Sequence, residues 1–102
     1  EGGLIVLDFV RKKMPQEELL AQLAEEAAEL GHAALKLRRT YGSINPTPVA
    51  QDEALAALKE EIADVLLLLG GLKLADYAGD YLQPMTAKLE RWVQRLQAAE
   101  EG

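Results

Sequence analysis

The sequence predicts an all-α protein, an antiparallel bundle of about four helices in a single domain spanning residues 1–102. Good helix formers (Ala, Leu, Glu, Gln, Lys and Arg) dominate the 102 residues, and β-branched residues are few. Apolar residues recur at the three- and four-residue spacing of amphipathic helices. The one dense cluster of turn residues, at positions 40–48, separates two long helical stretches, which favours a helical hairpin.

The composition excludes several classes of protein. A net charge of -6 at pH 7 argues against non-specific binding to nucleic acid. The absence of cysteine excludes disulfides, thiolate metal sites and cysteine nucleophiles, and it fits a reducing compartment. The apolar run at residues 62–69 is far shorter than the roughly 20 residues that span a bilayer. We therefore expect a cytoplasmic protein that binds neither nucleic acid nor a membrane.

The first two helices are predicted from apolar spacing and from Pro15. Residues 4–13 form a short helix, although β-branched residues within it leave a strand as the alternative. The side chains expected to face inward are Leu4, Val6 or Leu7, and Val10. Pro15 fits the first turn of the second helix, where its missing N–H is not needed. That helix is expected to run to about Arg39.

The third and fourth helices are placed by their capping residues. Thr47 is a suitable N-cap with Pro48 at the first helical position, and the third helix is expected to run to about Ala75. Asp80 is the candidate N-cap of the fourth helix, which is expected to reach about Ala99.

The third helix carries two carboxylates within its most apolar stripe. At about 100° per residue, Asp64 lies about 60° from Glu61, and three apolar residues lie within about 20° of Glu61. These residues are Ala54, Leu68 and Leu72. Burying an unpaired carboxylate costs several kcal/mol, so such groups are usually paired or metal-bound. The helix is apolar nearly all round over residues 62–69, which predicts a central position in the bundle.

The second helix carries a similar acidic motif. Glu26 and Glu29 are three residues apart and project from one side of the helix. Glu26 lies at the edge of the apolar stripe, Glu29 about 60° outside it, and Glu25 points about 100° away from Glu26. The expected stripe consists of Leu19, Leu23, Leu30, Ala34 and Leu37.

Antiparallel packing of these two helices could bring four carboxylates to one point. Four carboxylates cannot all stay ionised close together at low dielectric unless cations neutralise them. All-oxygen ligation selects hard cations, Mg²⁺ or Mn²⁺. The alternative is that the acidic residues fall by chance on amphipathic helices. A carboxylate that is not fully used as a ligand, Glu25 or Glu29, could accept a proton from water.

The segments LAEEAAEL and LKEEIADVLLLL resemble the two signature segments of the MazG-like all-α nucleoside triphosphate pyrophosphohydrolases. The resemblance covers residues 15–97. It implies metal ligation by Glu26, Glu29, Glu61 and Asp64, with Glu25 as the adjoining acidic position. It also implies a Mg²⁺-dependent cleavage of a nucleoside triphosphate between the α- and β-phosphates, which gives a nucleoside monophosphate and pyrophosphate.

Basic and aromatic residues supply candidates for substrate binding. Lys88, Arg91 and Arg95 lie within about 60° of one another beside the apolar face of the fourth helix, and could reach phosphate oxygens. The segment KLERWVQRL also resembles the C-terminal helix of MazG-like proteins. Ion pairing with the acidic helices is an equally good explanation of these charges. Further candidates, each with a simpler structural role as its alternative, are Lys36 (a helix-dipole partner), Asn45 (a turn residue) and Trp92 (a core residue).

Two other functions fit the helices. Glu29 and His32 match the Glu-x-x-His unit of ferritin-like di-iron bundles, but such a site needs two units and this chain has a single histidine. A non-catalytic helical adaptor, in which the acidic residues serve packing and solubility, is the other alternative. For the MazG-like enzyme we expect a homo-oligomer, a dimer or tetramer, in which the apolar third helix is buried against a partner copy. The site could then take residues from two subunits.

Overall fold

The computed structural model describes the backbone of residues 2–102 and the side chains from Val6 onward. It is all-helical, with no strand in the described part of the chain, as the sequence predicts. The strand alternative for residues 4–13 is therefore wrong. The elements are α1 (Gly2–Lys13), α2 (Gln16–Arg39), α3 (Gln51–Gly71), a π-helical turn (Tyr77–Tyr81) and α4 (Leu82–Glu101).

Helix α1 crosses the C-terminal end of α3. Leu7 and Val10 are half-buried and Val6 is exposed, so Leu7 rather than Val6 is the inward-facing residue. The side chain of Leu4, also predicted to face inward, lies outside the described residues. Arg11 ties the two helices together, because its Nη2 and Nε donate to the backbone carbonyls of residues 70 and 71 at 2.7 and 2.9 Å. These carbonyls lie in the last turn of α3, so the guanidinium caps the helix, and the carbonyl of residue 70 also accepts the backbone N–H of Lys73 at 3.1 Å.

Helix α3 is shorter at both ends than the sequence predicts. It begins at Gln51, and its N-cap Ala50 offers no side-chain hydrogen bond, so the prediction that Thr47 caps this helix is wrong. Asp52 and Glu53 instead place negative charge in the first turn, where the helix dipole favours it. The helix ends at Gly71 rather than near Ala75, where two glycines weaken it and the Arg11 guanidinium takes its final carbonyls.

The predicted cap of α4 is also wrong, because Asp76 caps the π-helical turn and α4 continues directly from that turn. The side chain of Asp76 accepts a hydrogen bond from the backbone N–H of Gly79 at 3.0 Å. Asp80 lies within the turn, and the N-cap of α4 is Tyr81, which makes no side-chain capping bond. The hydroxyl of Tyr81 donates to the carbonyl of Leu74 and so fixes the turn against the preceding loop.

Helices α2 and α3 form an antiparallel hairpin whose contact surface we call the seam. Along each helix the buried and half-buried side chains of the seam alternate at spacings of four and three, the pattern of interlocking helices. On α2 they are Leu19, Leu23, Glu26, Leu30, Ala33 and Leu37. On α3 they are Ala54, Leu58, Glu61, Val65, Leu68 and, at the C-cap, Leu72. Ala33 is buried and Ala34 is exposed, so the predicted stripe is rotated and Glu26 lies at its centre rather than its edge.

A single chain does not close the bundle. Among the described residues α4 packs mainly on the π-helical turn, and α1 covers one end of α3. Leu66 and Leu67 of α3 are 59% and 64% exposed, so the predicted central position of α3 is not reached within one chain. The radius of gyration is 17.8 Å, whereas a compact chain of this length has about 13 Å. No helix in the described part of the chain is long and apolar enough to cross a membrane.

Candidate functional site

Three of the four predicted metal ligands meet at the middle of the seam. Glu26 of α2 and Glu61 of α3 each occupy a seam position that is otherwise apolar, and Asp64 lies one turn further along α3. One carboxylate oxygen from each of the three residues lies within 4.8 Å of the other two. The antiparallel register of the hairpin is the cause, because it sets the Glu26 turn of α2 beside the Glu61–Asp64 turn of α3.

The three carboxylates differ in exposure. Glu26 and Glu61 are half-buried, whereas Asp64 is exposed beside the seam. The prediction that Asp64 lies within the buried stripe is therefore wrong: the seam is centred on Glu61 and its apolar neighbours, and Asp64 projects past its edge. The cluster is thus open to solvent on the side of Asp64, from which an ion or a substrate could approach.

Glu61 is the least satisfied carboxylate of the group. Its Oε2 atom is shielded from solvent and has no hydrogen-bond partner among the described residues. Burial raises the pKa of Glu61 above its ordinary value, and interaction with Glu26 raises it further. The negative charges of Asp64 and Glu29 act in the same direction. An acidic group in this position is stabilised either by a proton or by a cation.

Glu29, the fourth predicted ligand, lies one turn along α2 at the edge of the site. It is exposed and outside the group of three, yet it lines a cavity of about 200 Å³ together with Glu61. Glu25, the other candidate base, is also exposed and lines neither this cavity nor the small cleft beside Asp64. The structure thus brings Glu29 near the carboxylate cluster and leaves Glu25 apart from it.

The cavity beside Glu29 and Glu61 also collects polar residues of both signs. Lys36 and His32 of α2 line it, and Glu53 lines it from the first turn of α3. Lys36 thus lines the same cavity as two of the carboxylates, Glu29 and Glu61, and its part in phosphate binding stays a prediction. Glu53 was not predicted as a site residue, and His32 was considered in the ferritin-like alternative alone. The signal for His32 was its spacing of three and four residues between Glu29 and Lys36, which puts all three on one side of α2.

The basic strip of α4 forms a separate groove. Lys88, Arg91 and Arg95 line this groove of about 700 Å³ together with Trp92, which is 56% exposed rather than in a core. The groove shares no residue with the cavity beside Glu61. The structure therefore brings the basic candidates to one another but not to the carboxylates of the same chain.

The alternative structural roles considered for the basic residues of α4 and for Asn45 can be compared with the structure. Ion pairing of the α4 basic strip with the acidic helices is absent within one chain, because the sole salt bridge among the described residues joins Arg11 and Asp8. Asn45 is exposed in the α2–α3 connection and its backbone N–H donates to Ser43 Oγ at 3.1 Å. It lines neither of the two cavities, so the structure gives it a turn role.

Comparison of the chain with protein-family models, with curated proteins and with solved structures gave no match. The likeness to MazG-like proteins consequently depends on the signature segments in the sequence.

Proposed function

We propose that this protein is a MazG-like, Mg²⁺-dependent nucleoside triphosphate pyrophosphohydrolase that acts as a homo-oligomer. The reaction cleaves the anhydride between the α- and β-phosphates and releases a nucleoside monophosphate and pyrophosphate. The observation that carries the proposal is the meeting of Glu26 and Glu61 at the centre of an otherwise apolar seam, with Asp64 beside them at its exposed edge. A helix pair held together by apolar contacts gains nothing from acidic groups there unless they bind something.

The donor set fits a hard divalent cation. Glu26, Glu61 and Asp64 offer three carboxylate oxygens within 4.8 Å of one another, and Glu61 Oε2 is shielded from water without a hydrogen-bond donor. Oxygen ligands favour Mg²⁺ and Mn²⁺. These three residues would hold the ion, and Glu29 would join them from the next turn of α2. When bound, such an ion neutralises phosphate charge and lowers the pKa of a coordinated water.

Glu29 is the better candidate for the general base. It borders the cavity that Glu61 also lines, and it is exposed, so an Oε atom of Glu29 can take a proton from water and pass it to solvent. Glu25 lines neither the cavity nor the small cleft beside Asp64. We therefore assign proton transfer to Glu29, and assign to Glu25 a contribution to the negative potential around the cation.

Phosphate binding is assigned to basic residues of two chains. Lys36 lines the same cavity as Glu29 and Glu61, so its ammonium group can pair with phosphate oxygens beside the carboxylates. Lys88, Arg91 and Arg95 line a groove that is separate from this cavity in one chain. Their part in binding requires α4 of a second chain to lie over the carboxylates, with Trp92 available to stack on the nucleobase.

The test is hydrolysis of a panel of nucleoside triphosphates with Mg²⁺, in which pyrophosphate and orthophosphate are measured separately. We expect pyrophosphate as the product, and we expect Glu61→Gln to lower the rate by about 1,000-fold or more, since it removes a ligand and a charge. Glu60→Gln is the matched control, because Glu60 is exposed and adjacent in sequence but outside the cluster. Release of orthophosphate alone, or equal rates for the two variants, would contradict the proposal.

The ferritin-like alternative gains one observation, since His32 lines the same cavity as Glu29 and Glu61. The three clustered oxygens, however, come from carboxylates without His32. Metal preference separates the two functions: oxidation of Fe²⁺ coupled to O₂ consumption, without pyrophosphate release, would favour the oxidase. Absence of Mg²⁺ and Mn²⁺ binding in calorimetric titration would favour the non-catalytic adaptor.

A further inference from the structure

The two sides of the α2–α3 hairpin have opposite character. On one side, which we call the polar side, α2 and α3 carry the charged residues around the carboxylate cluster, such as Glu29, Lys36 and Glu53. On the other, which we call the apolar side, neither helix places a charged residue along its central turns, and Lys59 stands at the edge. The residues of the apolar side are Leu20, Ala24, Ala27, Gly31 and Ala34 of α2, and Leu55, Ile62, Leu66 and Leu69 of α3.

The apolar side is uncovered in a single chain. Its residues are exposed except for the half-buried Leu69, and its largest side chains, Leu20, Leu55, Ile62 and Leu66, are among the exposed large hydrophobic residues. Soluble monomers rarely expose a continuous apolar surface that runs along two helices. A partner surface of matching apolar character is needed to remove it from water.

The exposed area of the chain is large enough for an extensive interface. The chain exposes 8131 Å² in total, whereas a compact monomer of 11.2 kDa exposes about 5,700 Å². The excess is about 2,400 Å² per chain, the upper end of what a subunit buries in an obligate dimer. The apolar side of the hairpin contributes to this excess, together with the apolar face of α4 and exposed apolar residues of α1 and of the adjoining part of α3.

Gly31 indicates how closely the partner approaches. It lies in the interior of α2, where glycine weakens a helix relative to alanine. A Cβ atom at this position would meet no atom within 4 Å, so nothing within the chain requires the glycine. A glycine on a helix surface allows another helix to approach closely.

We propose that a second copy of this chain covers the apolar side with its own apolar side. The surface is complementary to itself, because α2 offers a row of small residues and α3 offers a row of large ones at matching heights. Glu26 lies beside Glu61, and Ala33 and Ala54 line one cavity, so this antiparallel register sets Ile62 near the height of Ala27 and Leu66 near that of Ala24. A two-fold axis therefore fits the large residues of each α3 into the small-residue row of the partner's α2.

The resulting unit is a four-helix bundle made of two hairpins, with the two carboxylate clusters on opposite outer faces. This inference concerns a surface separate from the proposed site, and it stands or fails independently of nucleotide hydrolysis. The pairing leaves each polar side free for α4 of another chain or for substrate.

Sedimentation equilibrium tests the interface. The protein is expected to be at least dimeric, and Ile62→Glu and Ala27→Glu are each expected to raise the dissociation constant by about 100-fold or more, because each buries a charge. Ala28→Glu is the matched control, because Ala28 is exposed about 100° around α2 from Ala27, on the surface that faces away from α3, and it should leave the association unchanged. A monomeric parent protein, or equal association of the Ala27→Glu and Ala28→Glu variants, would overturn the proposal.

A milder pair of variants keeps the test valid if the charged variants fail to fold. The chain contains no cysteine, so Ala27→Cys and Ala28→Cys each carry a single thiol, and both positions are exposed in one chain. We expect a maleimide to label the thiol of Ala27→Cys at least about 10-fold more slowly than that of Ala28→Cys, because a partner covers the first position alone. Equal labelling rates at protein concentrations where the parent is oligomeric would overturn the proposal.

Discussion

The seam of the α2–α3 hairpin and the apolar face of α4 are both apolar surfaces of amphipathic helices. The seam is buried within the chain, whereas the apolar face of α4 is exposed. In the seam, two rows of side chains interlock and bury Leu19, Ala33 and Ala54. On α4 the apolar residues are equally regular, but Leu89 and Trp92 are 58% and 56% exposed. A regular apolar row therefore predicts that a surface will be covered, without identifying whether the same chain covers it.

The charges of the two regions differ in the same way. The seam contains Glu26 and Glu61, which have each other and Asp64 as neighbours. The α4 groove contains Lys88, Arg91 and Arg95, which form no salt bridge among the described residues. The carboxylates of the seam form no salt bridge with the basic residues of α4 in the described part of the chain, although the two groups carry opposite charges. The comparison suggests that a carboxylate cluster of one chain and a basic strip of another chain form one site.

The largest effect is expected from mixing two inactive variants. Glu61→Gln disables the carboxylate cluster, and Arg91→Ala disables the basic strip with a loss of about 100-fold or more in kcat/KM. If α4 acts on the partner chain, an equal mixture that is unfolded and refolded together regains about a quarter of the parent activity, because some oligomers contain one intact site. The measurement is the rate of pyrophosphate release.

The control for this experiment is a mixture in which the two variants are combined without refolding. Recovery after joint refolding that is absent when each variant is refolded alone, and that exceeds the recovery in the mixture without refolding, would confirm a site shared between chains. No recovery in refolded mixed oligomers would mean that α4 acts on its own hairpin or takes no part in the reaction.

The seam could be predicted from the sequence because its signal is local. The helical spacing around Glu61 identified Ala54 and Leu68 as its neighbours, and both lie in the seam. The prediction that Asp64 is buried was wrong because a helical wheel gives the direction of a side chain but not its distance from the facing helix. Ala33 was missed because the predicted stripe was rotated toward Ala34, whereas the buried Ala33 lines a cavity together with the buried Ala54 of the facing helix.

The helix ends and the position of α4 could not be predicted because they depend on distant residues. Helix α3 ends where Arg11 of α1 reaches its last carbonyls, a contact between residues 60 positions apart. The residue that caps the π-helical turn is Asp76 rather than Asp80, because a π-helical turn precedes α4 and shifts the capping position. The apolar face of α4 lacks a partner within the described chain, so no pattern in one chain fixes its place.

The next effect concerns the stability of the seam without metal. In a chelator, Glu61→Leu should raise the melting temperature, because it replaces a shielded, unpartnered carboxylate with an apolar side chain that matches the rest of the row. Thermal unfolding followed by circular dichroism measures the change. Leu58→Ala, at an apolar position of the same row, is the comparison and should lower the melting temperature. A Glu61→Leu variant that melts below the parent would show that Glu61 stabilises the seam.

A smaller effect is expected from pH, again in a chelator. The pKa of Glu61 is raised in the folded protein, so the folded state keeps this proton to higher pH than the unfolded state, in which the carboxyl titrates near 4.5. The free energy of unfolding should therefore decrease as pH rises through the interval between the two pKa values. Urea unfolding at a series of pH values measures it, and Glu61→Gln should remove this part of the dependence. An unfolding free energy that increases through the same interval in the parent alone would contradict the assignment.

The smallest effect concerns the turn that holds α4. A Cβ atom at Gly79 would lie 2.9 Å from Asp76 Cγ and would displace the carboxylate that accepts the Gly79 N–H. Gly79→Ala should therefore cost about 1 kcal/mol of stability, the value of one local hydrogen bond. In an Asp76→Ala background the same substitution should cost less, since the conflicting group is absent and alanine favours the helical turn. If Gly79→Ala lowers the free energy of unfolding equally in the two backgrounds, the Asp76 cap does not fix the start of α4. The hydrogen bond from the Tyr81 hydroxyl to the Leu74 carbonyl would then be the contact that sets the direction of α4.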